Sequence, residues 1–308
     1  MLYKWSMETA NSVVIAGASG MLGTALTENL RSAGWKVTKL VRSQPQGEDE
    51  IQWDPAGGEL DPQVLAGADA VVCLCGAPLV RWPWTKAYQR ELVKSRLDPV
   101  DTIVSALESL RNNERPHTFL SASAVGYYGD RGEAVLTEDS GGADDFLAGL
   151  CRTWEEHARR APVECTTQIR TGIVVGDGGF IKALQPLAKL AVLGPVGSGE
   201  QWLPPIALSD HARAVRFALE KNLDGAVNLV GPQPYRHREV MAEIARAAGH
   251  SPAPRVPEPM VRLALGRMSQ VVLTSQRVIP TRLESAGFEY QYPTLAEQVA
   301  HTPVAEES

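Results

Sequence analysis

The chain has 308 residues, of which 44% are hydrophobic and 21% are charged. This is the composition of an ordinary globular protein, and it excludes a disordered chain, a collagen-like repeat and a coiled coil. The net charge of −6 does not favour a strongly cationic nucleic-acid-binding protein, so no nucleic-acid partner is predicted.

No segment predicts a membrane span, a secretion signal or a metal site. The longest apolar stretch, 68–80, is interrupted by Asp69, Gly76 and Pro78 and falls short of the ~18 residues that a membrane span needs. The N-terminus lacks a charged segment followed by an apolar run. The cysteines form no C-x-x-C pair, and no two histidines lie four residues apart. We therefore expect a cytoplasmic protein with no metal ligands and no membrane partner.

Short apolar runs alternate with helical stretches along the chain. Strands are predicted over 13–16, 37–41, 50–53, 70–74, 118–121 and 165–171, and helices over 21–33, 62–66, 85–110 and 146–160. A further helix over 209–221, with Ser209 or Asp210 as its N-cap, precedes a strand at about 226–230. Strands that are apolar throughout and separated by helices indicate an α/β fold with a doubly wound parallel sheet.

A glycine-rich loop joins the first predicted strand to the first predicted helix. It runs Gly17-Ala18-Ser19-Gly20-Met21-Leu22-Gly23, which is G-x-x-G-x-x-G, a spacing variant of the Rossmann fingerprint. Its glycines permit a tight turn and a close approach of the backbone, so that amide N–H groups at the helix N-terminus can bind a pyrophosphate. The alternative is a turn that only packs the helix on the strand.

The residue after the second predicted strand discriminates between cofactors. NAD enzymes usually carry an acidic residue there for the ribose 2′-hydroxyl, whereas an arginine accommodates a 2′-phosphate. The chain has Arg42 at this place and no acidic residue at the strand end. NADP(H) is therefore the preferred cofactor. NAD(H) stays open, because Arg42 could also be an exposed side chain at a strand terminus.

Several motifs together resemble a known family. Besides the glycine loop, the sequence contains WDP at 53–55, SRL at 95–97, SASAVGYYG at 121–129, IRTGIV at 169–174, GPVGSG at 194–199 and PTRLESAGF at 280–288. Over about residues 13–300 the chain resembles the epimerase family of atypical extended short-chain dehydrogenases/reductases.

The resemblance implies a Rossmann domain with a smaller C-terminal substrate-binding region. The implied domains are a tail over 1–12, a Rossmann domain over 13–175 that the strand at about 226–230 completes, a partly interleaved substrate region over 176–301, and a tail over 302–308. The implied cofactor contacts come from Gly17, Ser19, Gly20, Met21, Leu22, Gly23 and Arg42. Those that border the nicotinamide half come from Leu74, Cys75, Gly76, Ser121, Arg170 and Thr171. Ser121 starts a predicted loop, and Arg170 and Thr171 lie in the segment 170–172.

The catalytic pair of ordinary family members is missing. Those proteins use Tyr-x-x-x-Lys on a helix, and none of the seven tyrosines here has a lysine four residues later. Aligning the predicted helix on Glu155 places Leu147 at the tyrosine position and Cys151 at the lysine position. The resemblance to the atypical subgroup then implies active-site roles for Ser123, Arg96 and Cys151.

Each of these candidates has a structural alternative. Tyr127 is either an acid/base residue or a wall of the substrate pocket. Cys151 is either reactive or a small buried hydrophobic residue. Ser123 either contacts a substrate hydroxyl or caps its own loop. Arg96 either reaches the active site or belongs to a solvated basic helix face.

Further candidates for the substrate pocket are aromatic or polar. Trp82 and Trp84 either cover a substrate ring or pack their loop against the sheet. Tyr128, Gln201 and Trp202 are the other candidates, although the tyrosine at position 128 is usually structural in extended family members.

Two functions follow from these residues. The first is an NADP(H)-binding oxidoreductase or epimerase-like enzyme acting on a small polar, sugar-like molecule, which Ser123 and the C-terminal region favour. The second is a catalytically silent dinucleotide-binding sensor or scaffold, which the missing Tyr-Lys pair favours. The sequence decides neither the substrate, nor the direction of reaction, nor whether the chain forms a homo-oligomer.

Overall fold

The structure is a computed structural model that describes residues 11–176 and 178–301. Residues 1–10 and 302–308 of the two predicted tails lie outside the described residues. The strands are β1 (Ser12–Ala16), β2 (Lys36–Val41), β3 (Glu50–Gln52), β4 (Ala70–Cys73), β5 (Thr118–Ala124), β6 (Val135–Leu136), β7 (Cys165–Thr171), β8 (Ile173–Val175), β9 (Trp202–Leu203), β10 (Pro205–Ala207), β11 (Gly225–Leu229), β12 (Tyr235–Arg236) and β13 (Arg277–Val278). The α-helices are α1 (Met21–Ser32), α2 (Lys86–Ser109), α3 (Phe146–Ala158), α4 (Gly179–Lys189), α5 (Leu208–Glu220), α6 (His237–Ala247), α7 (Glu258–Leu265), α8 (Gln270–Leu273), α9 (Thr281–Ser285) and α10 (Leu295–Ala300).

A seven-stranded parallel sheet forms the centre of the molecule. Its strand order is β11-β7-β5-β4-β1-β2-β3. The helices α1 and α5 pack together, as do α2 and α3. Covering by helices explains why β1 and β4 are apolar along nearly their whole length and buried. The prediction of a doubly wound parallel Rossmann sheet is confirmed.

The direction of the chain across the sheet reverses between β1 and β4. From β1 the chain moves through β2 to β3 on one side, whereas β4, β5, β7 and β11 follow on the other side. In open parallel sheets, ligands bind at the carboxyl ends of the strands at such a reversal. We therefore expect a ligand to bind at the loops that follow β1, β2, β4, β5 and β7.

The C-terminal region contains short strand pairs and a second apolar cluster. β10 pairs with β8, β12 with β9, and β13 with β6. The second cluster joins α6 to α10 through Val240, Ile244 and Val299. Because β6 precedes α3 and β13 lies near the chain end, the C-terminal region closes back on the loop after β5. The predicted domain boundary at residue 175 stays a prediction.

Three local predictions are wrong. Helix α5 begins at Leu208 after Ala207, which has no side-chain cap bond, so neither Ser209 nor Asp210 is the N-cap. The predicted helix over 62–66 is a three-residue 3₁₀ turn. Strand β5 runs to Ala124 instead of ending at residue 121, because β7 pairs with it over its full length. Within the described residues, no helix combines the length and the apolar character needed to cross a membrane.

Candidate active site

The glycine loop forms a close-packed turn between β1 and α1. Gly17 has φ +83°, and a Cβ atom there would lie 2.9 Å from the carbonyl carbon of Leu74. A Cβ atom at Gly23 would lie 2.2 Å from the carbonyl oxygen of Gly17. Gly20 precedes α1 without a side-chain cap, and both it and Ser19 are exposed. The turn thus presents bare backbone at the start of a helix, which is a site suited to an anion.

The loop after β8 lies close to this turn. Met21 and Leu22, at the start of α1, are half-buried. A Cβ atom at Gly178 would lie 2.4 Å from the sulfur of Met21. The chain that leaves β8 therefore contacts the start of α1, and a side chain at position 178 would have to displace Met21.

Arg42 and Cys75 follow the two strands that flank β1. Arg42 follows β2 and is exposed, while Cys75 follows β4 and is half-buried. The adjacent Cys73 thiol and burial raise the pKa of Cys75, and the positive charge of Arg42 opposes this rise. Because β2 and β4 both pair with β1 in parallel, the glycine loop, Arg42 and the β4 exit lie at the same edge of the sheet. Gly17 contacts the β4 exit directly, at Leu74 and Cys75.

A buried ionic network lies behind β5 and β7. The carboxylate of Glu155 is fully buried and receives a hydrogen bond of 2.8 Å from the Ser123 hydroxyl. Arg170 donates to both of its oxygens, from Nε at 2.8 Å and from Nη2 at 2.9 Å. Arg159 donates a further bond of 3.0 Å. Burial alone lowers the pKa of Arg170, but its hydrogen bonds and the charge of Glu155 raise it overall.

Glu155 was not among the predicted site residues. In the sequence it was only the reference position for comparing α3 with ordinary family members. It lies on the buried face of that helix, with Cys151 four residues before it and Ala158 three residues after it. A carboxylate among apolar positions at helical spacing needs a partner, because a lone buried charge is very unfavourable. The position of Glu155 among apolar residues at helical spacing was therefore the sequence signal that could have predicted a buried ionic network.

Two adjacent tyrosines contact Arg170 in different ways. Tyr128 is completely buried, accepts a 3.0 Å hydrogen bond from Arg170 and donates one of 2.7 Å to Asn228. Burial raises the pKa of Tyr128 to about 12, against the opposing charge of Arg170. The ring of Tyr127 is half-buried, and its centroid lies 3.6 Å from the Arg170 guanidinium carbon. Tyr128 is thus held in the interior, whereas Tyr127 is partly accessible.

Cys151 lies beside this network on α3. Its thiol is 5% exposed, and burial together with the charge of Glu155 raises its pKa to about 12, with Arg96 opposing the rise. A Cβ atom at Gly126 would lie 3.8 Å from the Cys151 sulfur and 3.6 Å from Cβ of Leu147. The thiol is therefore protonated at neutral pH, and Leu147 lies next to it at the end of β5.

Arg96 is buried on α2, so a place on a solvated helix face is wrong for this residue. Its side chain donates to the carbonyl oxygens of Leu92 at 2.9 Å and Ala77 at 3.1 Å. Arg90 and Lys94, on the same helix, are exposed.

Thr171 and Ser121 complete the carboxyl edge. The Thr171 hydroxyl lies 3.2 Å from Nε2 of His211, and burial lowers the pKa of that histidine to about 4. Ser121 is wholly buried, and its hydroxyl lies 3.2 Å from the carbonyl oxygen of Ala122. Ser121 is therefore part of β5. The prediction that a loop begins at this residue is wrong.

The predicted substrate residues separate into two groups. Trp84 is buried, donates from its indole nitrogen to the carbonyl oxygen of Leu79 at 3.0 Å, and packs edge-on against Phe146, whereas Trp82 is 61% exposed. For Trp84 the structure favours the packing role that the sequence left open.

The other group lies in the C-terminal region. Gln201 is buried and donates to the carbonyl oxygens of Val196, in a loop, and Val272, on α8. Trp202 lies on β9, 3.8 Å from the guanidinium of Arg236, and donates to Glu133 at 3.0 Å. Neither residue contacts the network around Glu155.

Comparisons with known proteins agree with this architecture. The model of the NAD-dependent epimerase/dehydratase family matches residues 13–145, and a domain of unknown function, DUF1731, matches residues 256–302. An epimerase family protein of Mycobacterium bovis is 37% identical over 298 residues, covering 95% of this chain and 98% of the relative. The human epimerase family protein SDR39U1 is 34% identical, covering 92% of this chain and 96% of the relative.

Solved structures give the same result. The crystal structure of human SDR39U1 (isoform 2) with NADPH has a TM-score of 0.85 at 30% identity and covers 94% of this chain and 98% of that chain. The structure of MoeE5 in complex with UDP-glucuronic acid and NAD has a TM-score of 0.73 at 20% identity and covers 95% of this chain and 97% of that chain. The second likeness is one of fold alone.

Proposed function

The chain belongs to the epimerase family of atypical extended short-chain dehydrogenases/reductases, and we propose that it is an NADP(H)-binding oxidoreductase or epimerase-like enzyme acting on a small polar, sugar-like molecule. The observation that carries this proposal is that the glycine loop, Arg42 and the β4 exit follow three adjacent parallel strands at the point where the sheet reverses direction. The cytoplasmic location remains part of the prediction.

The residues at this edge fit a dinucleotide. The positions of Cβ atoms at Gly17 and Gly23 are occupied by neighbouring backbone, so these residues let the loop remain tight while Ser19 and Gly20 stay exposed. These exposed residues and the start of α1 would hold the pyrophosphate, and Arg42 would hold the 2′-phosphate. NADPH bound to the human relative supports NADP(H) as the preferred cofactor, with NAD(H) as the alternative. When bound, the nicotinamide supplies or accepts hydride.

Ser123 would act as a hydrogen-bond acceptor toward substrate. Its proton is directed to Glu155 at 2.8 Å, so its oxygen retains a lone pair for a substrate hydroxyl. Glu155 is in turn held by Arg170 and Arg159, which fixes the orientation of the serine. Ser123 would therefore position a hydroxyl group rather than donate a proton to a carbonyl.

We assign proton exchange to Tyr127. Cys151 is a protonated buried thiol and Tyr128 is buried with two hydrogen-bond partners, so neither suits this role. The Arg170 charge lies 3.6 Å from the Tyr127 ring centroid, where it would stabilise negative charge that develops on the phenol. Tyr127 would also form one wall of the substrate pocket.

A second candidate function is dinucleotide binding without turnover. The observation that favours it is the pairing of Leu147 with an uncharged Cys151 at the positions where ordinary members carry their Tyr-Lys pair. A protein of this kind would sense NADP(H) or serve as a scaffold.

One experiment separates the two functions. The purified protein is titrated with NADPH and then screened with aldehydes, ketones and nucleotide sugars for loss of reduced-nicotinamide absorbance and for deuterium exchange with labelled cofactor. Replacing Tyr127 by Phe is expected to lower turnover by about 100-fold at unchanged NADPH affinity. Tyr292→Phe is the control, since Tyr292 stacks on His301 in the C-terminal region. Tight binding without label transfer supports the silent protein, and a protein that binds neither NADPH nor NADH refutes both functions.

A further inference from the structure

Arg96 is a buried cation whose hydrogen bonds go only to uncharged groups. The side chain is 8% exposed. Nη1 donates to the carbonyl oxygen of Leu92 at 2.9 Å and to the Ser95 hydroxyl at 3.5 Å, and Nη2 donates to the carbonyl oxygen of Ala77 at 3.1 Å. Its guanidinium carbon also lies 5.3 Å from the centroid of the Trp154 ring. These contacts hold the side chain in place without neutralising its charge.

The contrast with Arg170 shows how unusual this is. Arg170 is 3% exposed and pairs through two nitrogens with the Glu155 carboxylate. In the part of the chain that the structure describes, no carboxylate lies within ion-pair distance of Arg96. Buried charges in proteins are normally paired. Among the described residues, Arg170 therefore has a counter-charge and Arg96 has none.

The free edge of Arg96 lies beside Gly76, which follows the carboxyl end of β4. Both Nη1 protons and one Nη2 proton are used, so Nε and the second Nη2 proton have no acceptor within the described residues. Gly76 is exposed, and a Cβ atom there would lie 3.3 Å from Nη2 and 3.5 Å from Nε. Because Gly76 is exposed and has no side chain, no Cβ atom covers the guanidinium on this side. Nε and Nη2 together form the planar fork that binds carboxylate and phosphate through two bonds.

We infer that Arg96 binds an oxyanion, a phosphate or carboxylate group that approaches across Gly76. The inference deepens the proposed function, on which it rests for the ligand that occupies this edge. The oxyanion has two sources at this place, the diphosphate of the dinucleotide or an acidic group on the substrate. Arg96 thus acts as an anion receptor, and no proton transfer is assigned to it.

The test begins with titration calorimetry of dinucleotide-free full-length protein with sodium pyrophosphate and, separately, with pyruvate. Arg96→Gln removes the charge, and Gly76→Ala keeps the charge but places a methyl group over the fork. Lys94→Gln, an exposed charge on the same helix, is the matched control. Affinity for at least one probe is expected to fall about tenfold or more in both test variants and to change less than about twofold in the control. Arg96→Lys retains the charge without the fork, and its affinity should lie between wild type and Arg96→Gln.

The same variants distinguish the two sources of the anion. Weaker NADPH binding by Arg96→Gln identifies the cofactor diphosphate. Unchanged NADPH binding, with weaker binding of pyruvate to the NADPH-loaded protein, identifies a substrate anion. The inference is overturned if folded Arg96→Gln or Gly76→Ala binds NADPH, pyrophosphate and pyruvate as tightly as the unmutated protein does. It is also overturned if the unmutated protein binds none of the three. If wild type binds pyrophosphate or pyruvate but neither NADPH nor NADH, the proposed function fails while the anion receptor stands.

Discussion

Replacing Glu155 by Gln is expected to lower the free energy of unfolding by about 3–5 kcal/mol, the range measured when one partner of a buried ion pair is removed. The Glu155 carboxylate is fully buried, and the Arg170 side chain is 4% exposed. Glutamine preserves the shape of the side chain but removes the charge. Its amide NH₂ would also face an arginine nitrogen, where the carboxylate accepts bonds of 2.9 and 3.0 Å from Arg170 and Arg159. The loss is therefore larger than that of one ordinary hydrogen bond.

Urea unfolding followed by circular dichroism measures this loss from the midpoint and the slope. Glu156→Gln, at the exposed neighbouring position on α3, is the control and should change stability by less than about 0.5 kcal/mol. In the double variant with Arg170→Met, the total loss should fall short of the sum of the single losses by at least about 1 kcal/mol, because neither charge is then left alone. A loss below about 1 kcal/mol for Glu155→Gln, or strict additivity in the double variant, would refute the reasoning.

Three further predictions concern the cofactor, a thiol and a histidine. Arg42→Ala should raise the dissociation constant for NADPH by about 10–100-fold and that for NADH by less than about twofold, as measured by calorimetry, since only NADPH carries the 2′-phosphate; equal losses would contradict this role. Cys151 should resist alkylation at pH 8 in the folded protein, because its pKa is raised to about 12. Peptide mass spectrometry measures the extent of labelling, and rapid labelling of Cys151 would contradict its burial. Burial lowers the pKa of His211 from 6.5 to about 4. As the pH drops, the unfolded chain therefore takes up a proton at this histidine before the folded protein does, and the free energy of unfolding should fall by up to about 3 kcal/mol between pH 6.5 and 4. His211→Gln should reduce this slope, and an unchanged slope would argue against a neutral buried histidine.

The sheet could be predicted because its signals are local. The apolar runs of β1, β2 and β4, the glycine loop and Arg42 all lie within short stretches whose periodicity and glycine spacing are visible in the sequence. Side chains whose partners lie far along the chain gave wrong or incomplete predictions.

Asp210 is the plainest example of this limit. Its position at the start of α5 is typical of an N-cap. In the structure it is inside the first turn and fully buried, where it accepts hydrogen bonds from the backbone of Gln291 and Tyr292 at 2.9 and 2.8 Å. Those partners are about 80 residues away in sequence, so no local pattern contains them.

The same limit applies to the candidate site. Ser123 and Arg170 could be selected by their motifs, but the carboxylate that joins them lies on α3, 32 residues after the serine. Arg96 looks like one more cation on a helix with exposed Arg90 and Lys94. Only the packing of α2 against the β4 exit shows that its charge is buried.

The pairing of β6 with β13 also sets the order in which the site is assembled during synthesis. β6 lies in the loop that carries Tyr127, and its partner strand is close to the chain end. At a ribosomal rate of roughly 5–20 residues per second, β13 emerges on the order of ten seconds after β6. The glycine loop follows β1 and Arg42 follows β2, so both are made well before β13. During synthesis, the segment that carries Tyr127 and β6 therefore waits for its partner strand after the glycine loop and Arg42 have already emerged.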